Sequence, residues 1–149
     1  MQRQHSIFVI LLLIPFVFFA QNNRIGIDAT LIDDQKVLIQ QEIEFFNHSD
    51  QALDTLYLQN WANGYKDRET PLSKRLLEDY KKEFYFSSKK DRGYSEVRAM
   101  QINGEQAFFQ EVSGASDLLF ARLNEKLKPG ESLRINLLYE VRLPNSKFT

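Results

Sequence analysis

The sequence predicts an all-β, mainly antiparallel domain of the β-sandwich or saddle type, with one short inserted α-helix. Apolar side chains recur at every second position in several segments, which is typical of strands with one buried and one solvated face. Turn-forming pairs such as Asn103-Gly104 and Pro129-Gly130 separate those segments, and one middle stretch has helical spacing instead. About seven or eight strands around a helical insertion predict an antiparallel sandwich. Because the last predicted strand runs almost to Thr149, we expect the fold to be incomplete at its C-terminus.

Residues 1–20, MQRQHSIFVILLLIPFVFFA, have the pattern of a secretory signal peptide. A basic start at Arg3 precedes an apolar run from Ile7 to Phe19, and the small residue Ala20 offers a cleavage site. The alternative is an uncleaved membrane anchor, but the run contains Pro15 and is shorter than the roughly 20 residues that span a bilayer. We therefore expect an exported chain without a stable membrane anchor, located in a bacterial periplasm, on the cell surface or outside the cell.

Composition limits the classes of function. The chain has 149 residues, 43% of them hydrophobic, which is enough for one core, so residues 21–149 are predicted to form a single β domain. It contains 19 Lys and Arg against 20 Asp and Glu, and this balance gives no electrostatic reason to expect nucleic-acid binding. It has no cysteine, so an exported domain of this kind is held together by packing rather than by disulfides.

The first half of the domain begins with a predicted β-hairpin and a third strand. Alternating apolar residues run from Ile25 to Leu31, the turn formers DDQK follow, and the alternation resumes from Val37 to Phe45. The segment NHSD ends the second strand. The segment LDTLYLQ, residues 53–59, is predicted to form the third strand.

A helical insertion is predicted over about residues 64–92. Thr70 can cap a helix whose first position is Pro71, because the hydroxyl accepts a hydrogen bond from an orphan amide and proline has no amide to satisfy. The helix is expected to run from Leu72 to about Phe86, since apolar residues recur there at three- and four-residue spacing. These residues are Leu72, Leu76, Leu77, Tyr80 and Phe84. The lysines between them are interpreted as a solvated face rather than a nucleic-acid surface.

The second half returns to β-structure. The segment YSEVRAMQI precedes Asn103-Gly104, a pair that favours a two-residue hairpin turn, and EQAFFQEV, the turn SGAS and DLLFARL follow. Pro129 and Gly130 suit the two central positions of a type II turn before the last strand. In that strand the apolar positions alternate with polar ones, with Leu138 as the exception. They are Leu133, Ile135, Leu137, Tyr139, Val141 and Leu143.

Residues 21–149 contain no pattern that predicts catalysis or metal binding. His48 is the only histidine there and the chain has no cysteine, which excludes a zinc site of His and Cys ligands and a Cys/His nucleophile. His48 lies in the turn NHSD, so an exposed turn residue is favoured over an acid–base catalyst. We therefore predict no catalytic, cofactor-binding or metal-binding residue, and no cofactor, in this chain.

The carboxylates have structural explanations. Asp33 and Asp34 belong to a predicted hairpin turn, where hydrogen bonding to the backbone is favoured over a calcium site. Glu42 and Glu44 lie on the predicted wet face of a strand, and Glu140 lies between arginines on a similar face. None of these side chains is expected to be desolvated, so none is expected to act as a tuned acid or base.

The order of three segments is more specific than any one of them. These segments are IGIDATLIDDQKVLIQQEIEFFNHSDQALDTLYLQNWAN, DRGYSEVRAMQING and LNEKLKPGESLRINLLYEVRLP. They contain a strand ending in Asp and a short turn (Asp28 to Asp34), Asn-x-Ser closing a strand (Asn47 and Ser49), a Leu-x-x-Leu-x-Leu strand (Leu53, Leu56 and Leu58) and a Leu-x-Pro-Gly corner (Leu127 to Gly130). Together they resemble the N-terminal domain of the aminopeptidase N-like zinc metallopeptidases, the gluzincins, in their exported bacterial form. The resemblance covers nearly all of residues 25–144.

This resemblance implies a non-catalytic β domain that packs against a thermolysin-like catalytic domain and helps to wall its active-site cleft. In the family, the zinc motif H-E-x-x-H, the downstream Glu ligand and the segment Gly-x-Met-Glu-Asn lie beyond this domain, and none of them occurs in this sequence. No catalytic or zinc-binding position is therefore carried over. The chain is expected to be a fragment of a metallopeptidase, with zinc and peptide substrates bound only by the catalytic domain of the same parent protein.

The alternative hypothesis is a stand-alone secreted β-sandwich module for binding or adhesion. The aromatic residues Trp61, Tyr65 and Tyr94 lie in or near predicted loops and could form a platform for a sugar ring. Asn47-His48-Ser49 also matches the acceptor pattern for N-glycosylation, but hydrogen bonding within a turn explains the same Asn and Ser.

Overall fold

The computed structural model describes residues 23–148, which form eight strands and one α-helix. The strands are β1 (Arg24–Asp33), β2 (Lys36–Phe46), β3 (Leu53–Gln59), β4 (Tyr94–Ile102), β5 (Glu105–Gln106), β6 (Phe108–Val112), β7 (Ala115–Leu127) and β8 (Ser132–Arg142). The helix α1 is Pro71–Glu78, and 3₁₀ segments occupy Trp61–Tyr65, Lys89–Asp91 and Ser146–Phe148. The predicted all-β class with one short helix is confirmed, whereas the predicted signal peptide, residues 1–20, lies outside the described residues.

The strands form two antiparallel sheets of unequal width. The large sheet has the order β1-β2-β8-β4-β5, and the small sheet has the order β3-β7-β6. The face of the large sheet that is turned towards the small sheet is called the inner face, and the opposite face is called the outer face. Apolar side chains from both sheets form the main core: Leu56, Met100, Ala107, Leu119, Ala121, Leu123, Leu127, Leu133, Ile135 and Leu137.

Strand register shows which side chains share the inner face. Directly opposed residues of antiparallel strands project to the same face of a sheet. One row across the large sheet is Ile25, Ile43, Ile135 and Ile102, and the next is Ile27, Gln41, Leu137 and Met100. Because Ile135 and Met100 belong to the core, both rows lie on the inner face along their whole length.

Two predicted turns are confirmed by their backbone angles. Asn103 and Gly104 have φ values of 52° and 86°, and two positive φ values in succession define the type I′ turn that matches strand twist in a hairpin. Gly130 has a φ of 79°, and the amide of Glu131 donates to the carbonyl of Lys128 at 3.1 Å. This is the arrangement expected of a type II turn with proline at its second position.

The predicted single strand EQAFFQEV is wrong, because Ala107 divides it into β5 and β6. Strand β5 pairs with β4 in the large sheet, and β6 pairs with β7 in the small one. Ala107 is buried at the corner, and its amide donates to the carbonyl of Met100 at 3.0 Å. The chain therefore joins the two sheets at this side of the sandwich, opposite β1.

The helix is shorter than the predicted Leu72 to about Phe86, because it ends at Glu78. Tyr80 has a φ of 62°, in the left-handed region that ends helices. Its amide donates to the carbonyl of Leu77 at 3.1 Å, and the amide of Lys81 donates to the carbonyl of Leu76 at 2.8 Å. This pair of bonds is the Schellman motif, in which glycine usually takes the position of Tyr80. The absence of glycine explains why the apolar spacing predicted a longer helix.

The start of the helix agrees with the prediction. The hydroxyl of Thr70 accepts a hydrogen bond from the amide of Ser73 at 3.2 Å, and Pro71 occupies the first position. Thr70 also donates to the carbonyl of Gly64 at 2.6 Å, which ties the helix to the 3₁₀ segment Trp61–Tyr65. That segment packs against β4 and β7, one strand from each sheet.

Candidate interaction surface

The inner face of the large sheet is covered by the small sheet only in part. In the row that begins at Ile25, that side chain is 58% exposed, whereas Ile135 in the same row is 1% exposed. In the next row, Ile27 is 58% exposed and Met100 is completely buried. We call the inner-face side chains of β1 the apolar margin; they are Ile25, Ile27, Ala29 and Leu31. This margin is a solvent-facing continuation of the core.

A cleft of about 490 Å³ lies between Ile25, at one end of the apolar margin, and β3. Its floor includes Ile39 and Ile43 of β2, and its other wall includes Leu58 of β3. Trp61, which is 71% exposed and is the only tryptophan of the chain, stands at its rim. The cleft suits a largely apolar partner, because most of its lining is hydrocarbon.

The Tyr139 phenol is one of the polar groups that line the cleft. Its hydroxyl donates to the side-chain carbonyl of Gln41 at 2.8 Å. Burial raises the pKa of Tyr139 above its ordinary value of 10.0, because the phenolate would be poorly solvated there. The phenol is therefore a neutral hydrogen-bonding group at physiological pH, not a base.

The outer face carries one unexpected feature, because Glu140 is buried although a solvated position was predicted. Its carboxylate forms ion pairs with Arg98 and with Lys36, the latter at 3.3 Å, and accepts a hydrogen bond from the Tyr94 hydroxyl at 3.2 Å. Lys36 and Arg98 lie on the neighbouring strands β2 and β4. Their long side chains cover the carboxylate from both sides, so it is shielded by its own partners.

This cluster has an electrostatic effect on Lys36. The hydrogen bond from Lys36 to the Glu140 carboxylate, together with its negative charge, raises the pKa of Lys36 above the ordinary 10.5. Two cations and a phenol thus surround one carboxylate. The cluster is therefore a structural tie between β2, β8 and β4.

The other predicted turn and strand carboxylates lie where the sequence places them. The Asp33 carboxylate accepts a hydrogen bond from the amide of Gln35 at 2.9 Å, as expected in the hairpin turn. Glu42 and Glu44 both pair with Arg134, at 3.7 and 3.2 Å, on the outer face. These contacts join neighbouring strands and do not converge on a cavity.

The turn after β2 is an ordered hydrogen-bonding centre. Asn47 is only 1% exposed; its amide donates to the carbonyls of Gln51 and Leu127, and its oxygen accepts from Ser49. The glycosylation interpretation fails here, because the amide nitrogen that would carry a sugar is buried and occupied. His48 is exposed beside it, with its ring 4.6 Å from that of Phe46.

The three aromatic residues considered for a sugar platform have different surroundings. Tyr65 packs edge-on against Phe84, with ring centroids 5.8 Å apart, and the Tyr94 hydroxyl is engaged with Glu140. Trp61 alone of the three is largely exposed. Phe84 itself is buried between Tyr65 and Phe148, beyond the end of the helix on which it was expected.

Within residues 23–148, no group of three or more His, Asp or Glu side chains is placed to hold a metal ion. Within the same range, no helix has both the length and the hydropathy needed to cross a membrane. The apolar run Ile7 to Phe19, which was considered as a signal peptide or a membrane anchor, is not among the described residues.

No protein-family model matches the chain, and no curated protein matches it. Two of the solved structures that match this chain are M1 zinc metallopeptidases. A point mutant of the M1 zinc metallopeptidase from Deinococcus radiodurans has a TM-score of 0.45 at 15% identity, over 72% of this chain and 17% of that one. The same mutant with a bound Tyr-Ser-Ala substrate has a TM-score of 0.41 at 14% identity, over 70% and 16%. This chain thus spans about a sixth of the length of those structures.

Proposed function

We propose that this chain is the non-catalytic N-terminal β domain of an exported zinc aminopeptidase-like metallopeptidase, and that its apolar margin and cleft pack against the catalytic domain of the same protein. The observation that carries the proposal is the abrupt loss of cover along single rows of the large sheet. Ile135 is 1% exposed and Ile25, two strands away in the same row, is 58% exposed. The order of the three sequence segments that resemble the gluzincins supports the identity of the partner.

The size of the uncovered surface favours a partner. Ile25, Ile27 and Leu31 are 58%, 58% and 67% exposed, and Ile25 lines a cleft that is mostly apolar. Fully burying one such side chain contributes about 1.5–3 kcal/mol. Large contiguous apolar patches are rare on the surface of soluble monomers, and where they occur they mark interaction sites.

The contribution of this domain to catalysis would be architectural. The Glu140 cluster and the Arg134 ion pairs tie neighbouring strands together, and none of the described residues that line the cleft has an acidic or basic side chain. A domain of this kind would hold a neighbouring catalytic domain and shape one wall of its cleft. Peptide substrates would contact the assembled protein through the catalytic domain.

The test of this proposal is the mass and activity of the native protein. An antibody raised against residues 21–149 should detect a protein several-fold heavier than the 17.5 kDa of this chain. The captured protein should contain zinc and release N-terminal amino acids from peptides, whereas the 149-residue chain alone should do neither. A native band at or below 17.5 kDa, or zinc-dependent cleavage by the chain alone, would contradict the proposal.

A pair of substitutions in the native protein tests the surface itself. Ile27→Asp introduces a charge into the apolar margin and should lower the melting temperature and the peptidase activity together. Phe86→Asp is the matched control, because Phe86 is 74% exposed but lies in the insertion, away from the margin. Equal effects of the two substitutions would remove the support for this face as the docking surface.

One observation favours the alternative of a binding module, namely the exposed Trp61 ring at the rim of the cleft. Because the chain has one tryptophan, its fluorescence reports directly on that rim. Titration with soluble β-linked glucose and N-acetylglucosamine oligomers should leave the emission unchanged. A saturable blue shift that is lost in Tyr57→Ala, at the same rim, would favour the binding module instead.

A further inference from the structure

The two edges of the large sheet differ in length and protection. One edge is the ten-residue strand β1, whose residues are all exposed, and the other is β5, which has two residues. An edge strand presents unpaired main-chain groups, and proteins usually protect it with lysine, proline, a bulge or an inward-pointing charge. Between Arg24 and Leu31, β1 has none of these features. Within residues 23–148 no strand pairs with the outer side of β1, so this edge can pair with another strand.

The charges along β1 favour an identical strand in the antiparallel direction. Arg24 begins the strand, while Asp33 ends it and Asp34 follows. Because the strand register shifts between Leu31 and Asp33, Asp33 lies opposite Lys36. The Lys36 side chain reaches Glu140 on the outer face, so Asp33 lies on that face as well. Arg24 also lies on the outer face, opposite Glu44. Antiparallel pairing of two copies brings each basic end beside an acidic end, whereas parallel pairing would bring like charges together.

One register fits the side chains best. A two-fold axis perpendicular to the sheet keeps both inner faces on the same side, so the axis passes between two copies of one residue. With Ala29 on the axis, Ile27 of one copy lies opposite Leu31 of the other, and Asp28 lies opposite Thr30. Moving the axis to residue 28 would place two Asp28 carboxylates directly opposite each other, which is unfavourable.

We infer that β1 is a self-association edge, through which two copies of this chain pair antiparallel about a two-fold axis at Ala29. The two five-stranded sheets then form one continuous sheet, and Ile27 and Leu31 gain a partner across the axis. The outer edges of that sheet are the two short β5 strands, so the association closes at two copies. The inference concerns the edge of β1 and is independent of what covers the apolar margin of the inner face.

Cysteine cross-linking provides a direct test, because the chain contains no cysteine of its own. The full 149-residue chain, produced with its own N-terminal segment, would be purified as Ala29→Cys and as Thr30→Cys. Across the axis, the two Ala29→Cys thiols lie at the spacing of directly paired strand residues, which a disulfide can bridge. The two Thr30→Cys positions are offset by two residues along the strand. Their Cα atoms are therefore farther apart than the roughly 7 Å that a disulfide can bridge. We expect a disulfide-linked dimer from Ala29→Cys and at least tenfold less from Thr30→Cys.

Charge exchange tests the direction of the pairing in the unmodified strand. By sedimentation, the chain should have twice its monomer mass, and Arg24→Glu should weaken the dimer by about tenfold. Adding Asp33→Arg to Arg24→Glu exchanges the two charges that share the outer face and should restore the affinity. Circular dichroism would confirm that each variant is folded.

Three results would overturn the inference. They are a monomer at about 100 μM, equal cross-linking of the two cysteine variants, and a dimer that is insensitive to the charge exchange. In the last case the contact would lie on the inner face, which would add to the case for that face as a docking surface. A native protein of low mass that still dimerises through Ala29→Cys would refute the proposed parent enzyme and leave this inference intact.

Discussion

Ile25 and Ile135 are the same type of residue, lie in one row of side chains and project from the same face of the same sheet. Nevertheless Ile25 is 58% exposed and Ile135 is 1% exposed. The difference arises because the small sheet has three strands and the large sheet has five, so β1 extends past the cover. Alternation in a sequence therefore identifies the face of a strand that is apolar, but it does not identify what lies over that face.

The connections explain which side of the sandwich is closed. At Ala107 the chain passes directly from β5 in the large sheet to β6 in the small one. At the other side β1 and β3 are both edge strands, and the cleft opens between them. A partner that fills this side would complete the second layer over β1, which is why this surface carries the proposed function.

The largest expected effect is the difference in stability between alanine substitutions at Ile135 and at Ile25. Ile135→Ala should lower the free energy of unfolding by about 2–5 kcal/mol, because it leaves a cavity in the core. Ile25→Ala should change it by less than about 1 kcal/mol, since the side chain is already in water. Urea unfolding of the purified chain measures both. Similar losses for the two variants would contradict the assignment of Ile25 to a part of the inner face that is open to solvent.

A smaller effect should follow from loosening the cover itself. Asn63 is completely buried; its amide donates to Glu111 at 2.8 Å and to the carbonyl of Ser116 at 3.0 Å, and its oxygen accepts from the amide of Ser95 at 3.2 Å. It thereby links β4 of the large sheet to the small sheet.

Asn63→Ala should lower the free energy of unfolding by about 2–4 kcal/mol, because buried polar groups in both sheets lose a partner. It should also increase the binding of an apolar dye. The control is Asn124→Ala, which removes an exposed hydrogen bond to Glu105 and should have little effect. A dye signal that does not change would show that Asn63 is not what holds the small sheet in place.

The smallest effect concerns pH and the outer face. Because the Glu140 carboxylate raises the pKa of Lys36 in the folded chain, the protonated amine stabilises the fold. That contribution is complete below the unfolded pKa of about 10.5 and is lost as the pH rises through the higher folded value. The stability difference between the wild type and Lys36→Gln should therefore be constant from pH 7 to 10 and shrink above it.

Tyr139 provides an internal reference for this experiment. Its pKa is also raised in the folded chain, so its deprotonation lowers the stability of the wild type and of Lys36→Gln alike at high pH. Taking the difference between the two chains removes that shared contribution. A difference that stays constant up to pH 12 would contradict the assigned role of Lys36.

Local chemistry accounts for the elements that the sequence predicted well. The hairpin of β1 and β2, strand β8 and the turn at Asn103-Gly104 depend on alternation and on positive φ, which neighbouring residues determine. The predicted absence of a catalytic site remains a prediction, since the described residues contain no arrangement that tests it. Two expectations failed where a distant contact decided the outcome: the division of the strand at Ala107 and the solvation of Glu140. The predicted helix was too long for a local reason, because Tyr80 takes the left-handed conformation that glycine usually takes at a helix end.

The sequence by itself determined the class of fold, the alternation of its strands and the positions of its tight turns, because these depend on residues close together in the chain. The tertiary structure alone decided that the inner face is covered over Ile135 and open over Ile25. It also decided that Lys36 and Arg98 bury Glu140. Both outcomes depend on strands that are distant in sequence, and no local pattern records the width of the sheet that packs above them.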